Sequence, residues 1–335
     1  MIQDCAAQHS VLSTQHLVLW RGHASGESCS QEYAVAPFDR AVLSWNCNGP
    51  AVFELEVNGA RHCMGRWGAK PRSEKTDAVA VDTLALQTPA RSLRFHAHAE
   101  GGTEVTLLAA AHWMEGKRGR EKGKGNTAAA ARDTALTGQA QGEDRRAWGQ
   151  VLPVPQRSQW AEEKDPAGIC SPTSVAMVLE FHGIRKSTRE VADGVFDHAA
   201  GIYGNWAFNT AYSHRVSGLE TYVQRGASLE CLEEEIALGR PVVISHRWRP
   251  GDLEGAPLPE SDGHLLVVVG FTAQGDVVVN DPAGRPGSVR RVYRRPQIVR
   301  TWLERGRGIM YVFQPCASLS SVSQRAATKT APMTR

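Results

Sequence analysis

The residues around Cys170 place a thiol directly ahead of a predicted helix. The segment Gly168-Ile-Cys-Ser-Pro-Thr-Ser174 precedes a run with apolar helical periodicity. Pro172 suits the first helical turn, because the N–H that it lacks would be unpaired there anyway. A helix N-terminus stabilises a thiolate through the macrodipole and the free N–H groups, and the thiolate is the nucleophilic form of cysteine. The pattern therefore predicts a reactive thiol, with an inert core cysteine as the alternative.

A nucleophilic cysteine needs a general base, usually a histidine that the fold brings close. His264 opens the apolar run Leu265–Phe271, and Asp281 ends the next run, Val277–Asn280. The short connection 272–275 predicts a β-hairpin, which would carry His264 and Asp281 near the same end of its two strands. There the carboxylate can accept a hydrogen bond from the imidazole and fix its tautomer. These residues predict a Cys-His-Asp triad.

Acyl transfer to sulfur also needs a hydrogen-bond donor for the developing oxyanion. Gln159, a short distance before Cys170, is the candidate, with Gln156 as the alternative. The triad has its own alternatives. Asp281 can instead close a turn ahead of Pro282, with Asn280 as the polar partner, and the three triad residues can instead bind a metal in a hydrolase.

The elements that must position these residues mix helices and strands. The Pro172–His182 run has one apolar face and ends before Gly183, and Ser187 with Glu190 forms a capping box for a second helix. Helices followed by an antiparallel sheet indicate an α+β fold. The other predicted elements are a helix over 229–236, strands over 241–245, 265–271 and 277–280, a helix over 298–303 and a strand over 309–313.

Residues 1–113 have the alternation of β-strands. Phe53, Leu55 and Val57 alternate with glutamates ahead of an Asn-Gly turn, and the stretch 93–98 alternates in the same way. Several short strands with polar turns predict a small, all-β, sandwich-like domain of unknown role. Its tryptophans (Trp20, Trp45, Trp67 and Trp113) are interpreted as core residues, with a carbohydrate or cell-wall contact as the alternative. On one strand face, His96 and His98 are interpreted as solvated residues rather than metal ligands.

The chain divides at a change in composition. Residues 114–150 lack apolar periodicity and are rich in Gly, Ala and charge, which predicts a flexible linker. Residues 151–315 form the predicted catalytic domain and 316–335 a disordered tail, so the two domains are expected to fold separately. Among the 335 residues, 41% are hydrophobic and 22% are charged, with a net charge of +3. This is ordinary globular composition, and no nucleic-acid partner is predicted.

No stretch of the sequence is apolar enough to predict a membrane span. The first residues have no basic start followed by an apolar core, so a cytoplasmic location is expected; an incomplete start would hide an export signal. None of the seven cysteines forms a CxxC pair, and neither a metal site nor a cofactor is predicted. Cys47 and Cys63 can pair only in an oxidising compartment.

Five sequence segments together resemble a known bacterial family. They are VPQRSQW, GICSPTSVAMVLEFHG, GNWAFNTAYS, DGHLLVVVGF and DVVVNDPA, and their order is similar to that of the peptidase C-39-like group of papain-like cysteine peptidases. The resemblance covers residues 151–315 and implies the papain-like fold. It also implies Cys170 as nucleophile, His264 as base, Asp281 as third member and Gln159 as oxyanion residue. In the first domain, LSWN at 43–46 and VDTL at 81–84 are similar to the N-terminal part of bacterial relatives.

The chain departs from the family pattern in three ways. Ile169 stands where an aromatic residue often precedes the cysteine. Neither a membrane span nor a nucleotide-binding P-loop is present, so a leader-processing transporter is not expected. Many relatives are exported, whereas this sequence shows no export signal. The sequence predicts a thiol-dependent peptidase or amidase that acts on a peptide or protein substrate. The alternatives are an acyltransferase or crosslinking enzyme with the same triad, and an inactive peptide- or cell-wall-binding module.

Overall fold

The computed structural model describes residues 10–13, 16–115 and 145–316. Most of the predicted linker and of the predicted tail therefore lies outside the described residues. The described part consists of a portion formed only of strands and a portion that mixes helices with a sheet, here called the first and the second domain. None of its helices has the length and apolar character that a membrane crossing requires.

The first domain is a ten-stranded antiparallel sheet that folds over on itself. Its main path runs β1-β2-β10-β4-β9-β5-β6, with β3, β7 and β8 attached to β9 or to each other. Trp45 on β4 stacks on Phe53 of β5 at a centroid distance of 4.3 Å although β9 separates these strands in the sheet. The strands are β1 (Ser10–Ser13), β2 (Leu17–Ser25), β3 (Glu27–Cys29), β4 (Tyr33–Cys47), β5 (Ala51–Val57), β6 (Ala60–Trp67), β7 (Glu74–Lys75), β8 (Val79–Val81), β9 (Thr83–Ala99) and β10 (Glu104–Trp113).

The aromatic and histidine candidates of this domain have structural partners. All four tryptophans (Trp20, Trp45, Trp67 and Trp113) are buried, so their rings offer no surface on which a sugar could stack. His96 is buried with its Nε2 atom 2.7 Å from Glu56 Oε2, and half-buried His98 has its Nε2 atom 3.3 Å from Glu54 Oε2. The interpretation of His96 as solvated is therefore wrong, because its ring is buried beside Glu56 of β5. Cys47 and Cys63 are both free thiols.

The second domain packs helices against a six-stranded sheet of order β11-β16-β12-β13-β14-β15. All its neighbouring strands are antiparallel, as the sequence predicts. The helices are α1 (Cys170–Phe181), α2 (Thr188–Val195), α3 (Trp206–Ser217), α4 (Glu230–Ala237) and α5 (Arg295–Ile298), which continues as a π-helical segment (Val299–Glu304). The strands are β11 (Glu220–Arg225), β12 (Val242–Trp248), β13 (Ser261–Phe271), β14 (Val277–Asn280), β15 (Arg290–Tyr293) and β16 (Ile309–Gln314).

The sequence predicted most of these elements but not all. The predicted capping box is formed at the start of α2, where Ser187 and Glu190 exchange both hydrogen bonds. The predicted hairpin is formed by β13 and β14, with Val267 opposite Asn280. Helix α3 and strands β11 and β15 were not predicted, because their sequences have neither clear periodicity nor an apolar run.

An edge strand of the second sheet is covered by the first domain. Among the strands that the structure describes, β11 pairs with β16 alone, and on its other side it faces β4. The Thr221 N–H donates to Asn46 Oδ1 at 3.1 Å and the Asn46 Nδ2 group donates to the Thr221 carbonyl at 2.6 Å. Two residues along each strand, the Val223 N–H donates to Ser44 Oγ at 3.0 Å. Side chains of β4 therefore satisfy main-chain groups that an edge strand would otherwise leave open.

The segment before the second domain crosses β13 where a glycine leaves room for it. The Gly149 N–H donates to the Phe271 carbonyl, and the Leu152 N–H donates to the Val269 carbonyl. A Cβ atom at Gly270 would lie 2.1 Å from the Gln150 carbonyl oxygen and 2.7 Å from Val151 Cα. Both contacts are with main-chain atoms, so the crossing requires glycine at position 270.

Gly270→Ala is expected to lower the free energy of unfolding by about 1–3 kcal/mol, since the crossing segment must shift to admit a methyl group. Gly263 on the same strand is the matched control, because a Cβ atom there would meet nothing within 4 Å. Chemical denaturation of both variants measures the difference. Equal stability of Gly270→Ala and Gly263→Ala would contradict the close approach.

Candidate functional site

Cys170 is the first residue of α1, and its thiol is partly exposed. The sulfur is hydrogen-bonded to the His264 ring and to the backbone of Leu265 and Ser171. Burial of the sulfur alone would raise its pKa, but these bonds and the charge of His264 hold the pKa of Cys170 below its ordinary value. The site therefore favours the thiolate.

Two hydrogen bonds connect the helix of Cys170 to the sheet. Ser174 Oγ donates to the Leu265 carbonyl at 3.2 Å, and Ser171 Oγ lies 3.0 Å from Tyr311 Oη. Leu265 follows His264 on β13, so the first of these bonds links the element of the thiol to the element of the imidazole. The thiol and the ring are thus positioned by buried contacts on rigid elements.

His264 and Asp281 meet at the same end of the hairpin. His264 Nε2 lies 2.8 Å from Asp281 Oδ1, and both side chains are almost fully buried. Burial would lower the pKa of the imidazole, but the Asp281 carboxylate and the Cys170 thiol raise it above its ordinary value. Although burial also opposes ionisation of Asp281, the charge of His264 holds the pKa of this carboxyl below its usual range. The three groups form a chain from sulfur through imidazole to carboxylate.

Tyr293 and a backbone amide complete the environment of Asp281. Tyr293 Oη donates to Asp281 Oδ2 at 2.9 Å, and the Ala283 N–H donates to Oδ1 at 2.9 Å. Oδ1 therefore accepts from the Ala283 N–H and from His264, whereas Oδ2 accepts from the Tyr293 hydroxyl. Sequence reasoning missed Tyr293, because it lies on β15, a strand that was not predicted.

Asn280 does not take the role that the turn alternative gave it. Its Nδ2 group donates to the carbonyls of Val154 and Pro155, each at 3.2 Å, and its Oδ1 atom accepts from Arg290. The Asn280 side chain thus joins β14 to the start of the domain. Of the two neighbouring polar residues, Asp281 is the one that contacts His264.

The two glutamine candidates have different environments. Gln156 is exposed, and its Oε1 atom accepts from the Arg290 N–H. Gln159 is buried, and its N–H donates to the Pro282 carbonyl, one residue after Asp281. Within the described residues, the Gln159 side-chain oxygen has no hydrogen-bond partner. Gln159 is therefore the glutamine that is fixed beside the loop of the candidate triad.

Two further aromatic residues surround the imidazole. Trp248 packs edge-on against His264 at a centroid distance of 5.7 Å. His246 lies opposite His264 in the strand register, with ring centroids 5.6 Å apart. Burial and the neighbouring charge of His264 lower the pKa of His246 to about 3, so this second ring is neutral. The charge of the pair is therefore on His264.

A cleft of about 1000 Å³ opens at Cys170. Part of its lining is aromatic, and the Tyr203 hydroxyl donates to Asp165 Oδ2 at 2.8 Å. Other lining residues come from β12 and β13, beside His264. The cleft is large enough for several residues of an extended chain. Its lining includes Phe196, Tyr203, Trp206, Ser245, Gly263 and Leu265.

The model of the Peptidase_C39 like family matches residues 151–310, just under half of the chain. One similar solved structure is described as a C39-like peptidase from Bacillus anthracis. It is 18% identical, and the alignment covers 50% of this chain and 98% of that one at a TM-score of 0.38. A second is a double glycine motif protease from an AMS/PCAT transporter in complex with the leader peptide. It is 20% identical, with 49% and 94% coverage and a TM-score of 0.35. No curated protein matches the chain.

Proposed function

We propose that this chain is a thiol-dependent peptidase or amidase with a papain-like catalytic domain, because residues 151–310 match the model of the Peptidase_C39 like family. The observation that carries the proposal is the hydrogen-bonded chain from Cys170 through His264 to Asp281. The thiolate attacks the carbonyl carbon of a peptide bond in the cleft. The bond to nitrogen breaks after His264 protonates the leaving amine, and water then hydrolyses the thioester.

Each of the other residues has a role in this proposal. Asp281 orients the imidazole and stabilises its protonated form, and Tyr293 with the Ala283 N–H holds the carboxylate in place. Trp248 limits access of water to the imidazole–carboxylate pair, which strengthens their interaction. Gln159 and the Cys170 N–H donate to the oxyanion that forms during attack.

Gln159→Ala is expected to lower kcat by about 10²-fold or more, as loss of one oxyanion donor does in other acyl-transfer enzymes. Gln156→Ala is the matched control, because that side chain is exposed and its bond is to the backbone of Arg290. Steady-state hydrolysis by both variants measures the effect. A full rate for Gln159→Ala together with a slow Gln156→Ala would move the oxyanion role to Gln156.

The alkylation rate of Cys170 by iodoacetamide is expected to stay high below the ordinary pKa of a thiol, about 8.5. The rate should fall on the acid side as pH drops through the depressed pKa of Cys170 and the thiolate is protonated. This fall at low pH is the acid limb of the profile. Asp281→Asn should move the acid limb to higher pH, because it removes the charge that stabilises the protonated His264, and the protonated His264 in turn stabilises the thiolate. Peptide mapping across a pH series measures both profiles.

The geometry also predicts what Asp281→Asn preserves. Its oxygen should take the Oδ1 position, where it accepts from Ala283 and His264, and its amide group should donate to Tyr293. The orientation of the ring is then kept and only the charge is lost, so the variant should still unfold cooperatively, at a lower Tm because the buried ion pair is gone. An unchanged acid limb in Asp281→Asn would remove Asp281 from the triad.

Hydrolysis itself is tested by incubating the full chain with a proteome-derived peptide library and sequencing the new termini by mass spectrometry. Added amine tests for acyl transfer, because an aminolysis product would replace the hydrolysis product. Dialysis against a chelator should leave the rate unchanged, since the proposed chemistry uses no metal ion. If Cys170 resists thiol-directed probes and no peptide is cleaved, the proposal fails.

A further inference from the structure

One wall of the cleft is a single stretch of chain between α2 and α3, residues 197–206, here called the wall segment. It ends at the first residue of α3, and six of its residues line the cleft. Most of the wall segment is neither helix nor strand, so its position depends on hydrogen bonds from neighbouring elements. The lining residues are His198, Gly201, Ile202, Tyr203, Gly204 and Trp206.

The bonds that connect the wall segment to other elements include three from the first domain. The Trp206 N–H donates to Asp82 Oδ2 at 2.8 Å. The Ser73 N–H donates to Asp197 Oδ1 at 3.1 Å, and the His198 N–H donates to the Pro71 carbonyl at 2.9 Å. The first domain thus contacts both ends of the wall segment.

Asp197 transmits one of these contacts through the wall segment. Its Oδ1 atom also accepts from the N–H groups of Ala199 and Ala200, and its Oδ2 atom accepts from Asn205 Nδ2 at 3.0 Å. Asn205 in turn caps α3 through the Phe208 N–H. The carboxylate of Asp197 therefore links the first residue of the wall segment to Asn205, near the end of the segment.

Asp82 contacts the other end of the wall segment. It follows Val81, which has a left-handed backbone (φ 62°), and its Oδ1 atom accepts from Thr83 Oγ1 at 3.1 Å. Oδ2 is therefore directed at the N-terminus of α3, where a carboxylate is favoured by the helix dipole. Burial raises the pKa of Asp82 to about 6, so at neutral pH the carboxylate is mostly charged.

We infer that Asp82 is a positioning residue for the substrate, and that the first domain forms part of the substrate-binding apparatus by holding the wall segment from behind. The inference rests on the proposed peptidase function, because it concerns how a bound peptide is held. It assigns a role to the VDTL segment at 81–84, which the catalytic chemistry does not use. Loss of the Asp82 bond should loosen the wall segment but leave the Cys170–His264 pair intact.

The test compares two reagents on the same sulfur in the full chain. Iodoacetamide is too small to need the wall, whereas a panel of tetrapeptidyl chloromethyl ketones must bind in the cleft before the thiolate displaces chloride. The measured quantity is the alkylation rate with the best peptidyl reagent divided by the rate with iodoacetamide. In Asp82→Ala this ratio should fall by about 10- to 100-fold, because a displacement of a bound group by about 1 Å has an effect of that size. Asp82→Asn should restore most of the ratio, since its amide oxygen can accept from Trp206.

Ser44→Ala is the matched control, because it removes another bond between the domains, from Val223, at a residue outside the cleft. It should lower Tm but keep the wild-type ratio. If Asp82→Ala gives no cooperative unfolding transition, Asp82→Ser replaces it, since its hydroxyl can still pair with Thr83. An unchanged ratio in the folded Asp82 variant would overturn the inference alone. Equal rates of the two reagents with the wild-type protein would overturn the peptidase proposal as well.

Discussion

Cys170→Ala is expected to lower peptide hydrolysis by about 10⁵-fold or more, because removal of the nucleophile leaves only binding and oxyanion stabilisation. Its stability should be close to that of the wild-type protein, since the thiol is partly exposed and α1 accommodates alanine as its first residue. His264→Ala should lower the rate to a similar extent. The double variant should hydrolyse peptide at about the same rate as either single variant, because the two residues act as a unit.

Cys231→Ala is the matched control for this prediction. Cys231 is also a partly exposed free thiol, but it lies on α4 and outside the lining of the cleft. Hydrolysis rates, measured beside labelling by a thiol-directed probe, separate the two cysteines. Activity that survives Cys170→Ala and disappears in Cys231→Ala would refute the assigned nucleophile.

Asn46→Ala is expected to lower the free energy of unfolding by about 2–5 kcal/mol, since it leaves two buried main-chain groups of Thr221 without partners. The N–H and the carbonyl of Thr221 both bond to the Asn46 side chain, and both residues are fully buried. An alanine side chain can neither donate nor accept. Urea denaturation of the full chain measures the change.

Asn48→Ala is the control for Asn46→Ala. Asn48 lies two residues further along the chain, is exposed, and accepts from the Glu104 N–H within the first domain. Asn48→Ala should lower the free energy of unfolding by about 1 kcal/mol or less, because a hydrogen bond to water can replace the lost bond. Equal destabilisation by the two variants would mean that the contact between the domains contributes nothing beyond an ordinary surface bond.

The sequence was sufficient for the candidate site because each of its parts has a local signal. A proline in the first turn marks the start of α1 at Cys170, and a turn between two apolar runs marks the hairpin of His264 and Asp281. The distances among these side chains depend on strand register, which the short connection 272–275 between the two apolar runs largely determines. The roles of these residues nevertheless stay predictions until the variants are measured.

Contacts between distant segments had no such signal. Tyr293 reaches Asp281 from a short strand, and Asp82 reaches Trp206 across 124 positions of the chain. The type of a polar residue does not reveal whether its side chain bonds to the main chain of another domain or to water. For the same reason, the prediction that the domains fold separately was based on the composition of the linker. It did not include the bonds of Asn46 and Ser44 to the main chain of β11.

The bonds between β4 and β11 also bear on folding during synthesis. Asn46 precedes Thr221 by 175 residues, so at about 5–20 residues per second it leaves the ribosome roughly 10–35 s earlier. Single domains commonly fold within that time. A folded first domain would then already display the Ser44 and Asn46 side chains when β11 emerges. It would act as an intramolecular chaperone, covering the exposed edge of the nascent catalytic sheet before another chain could pair with it.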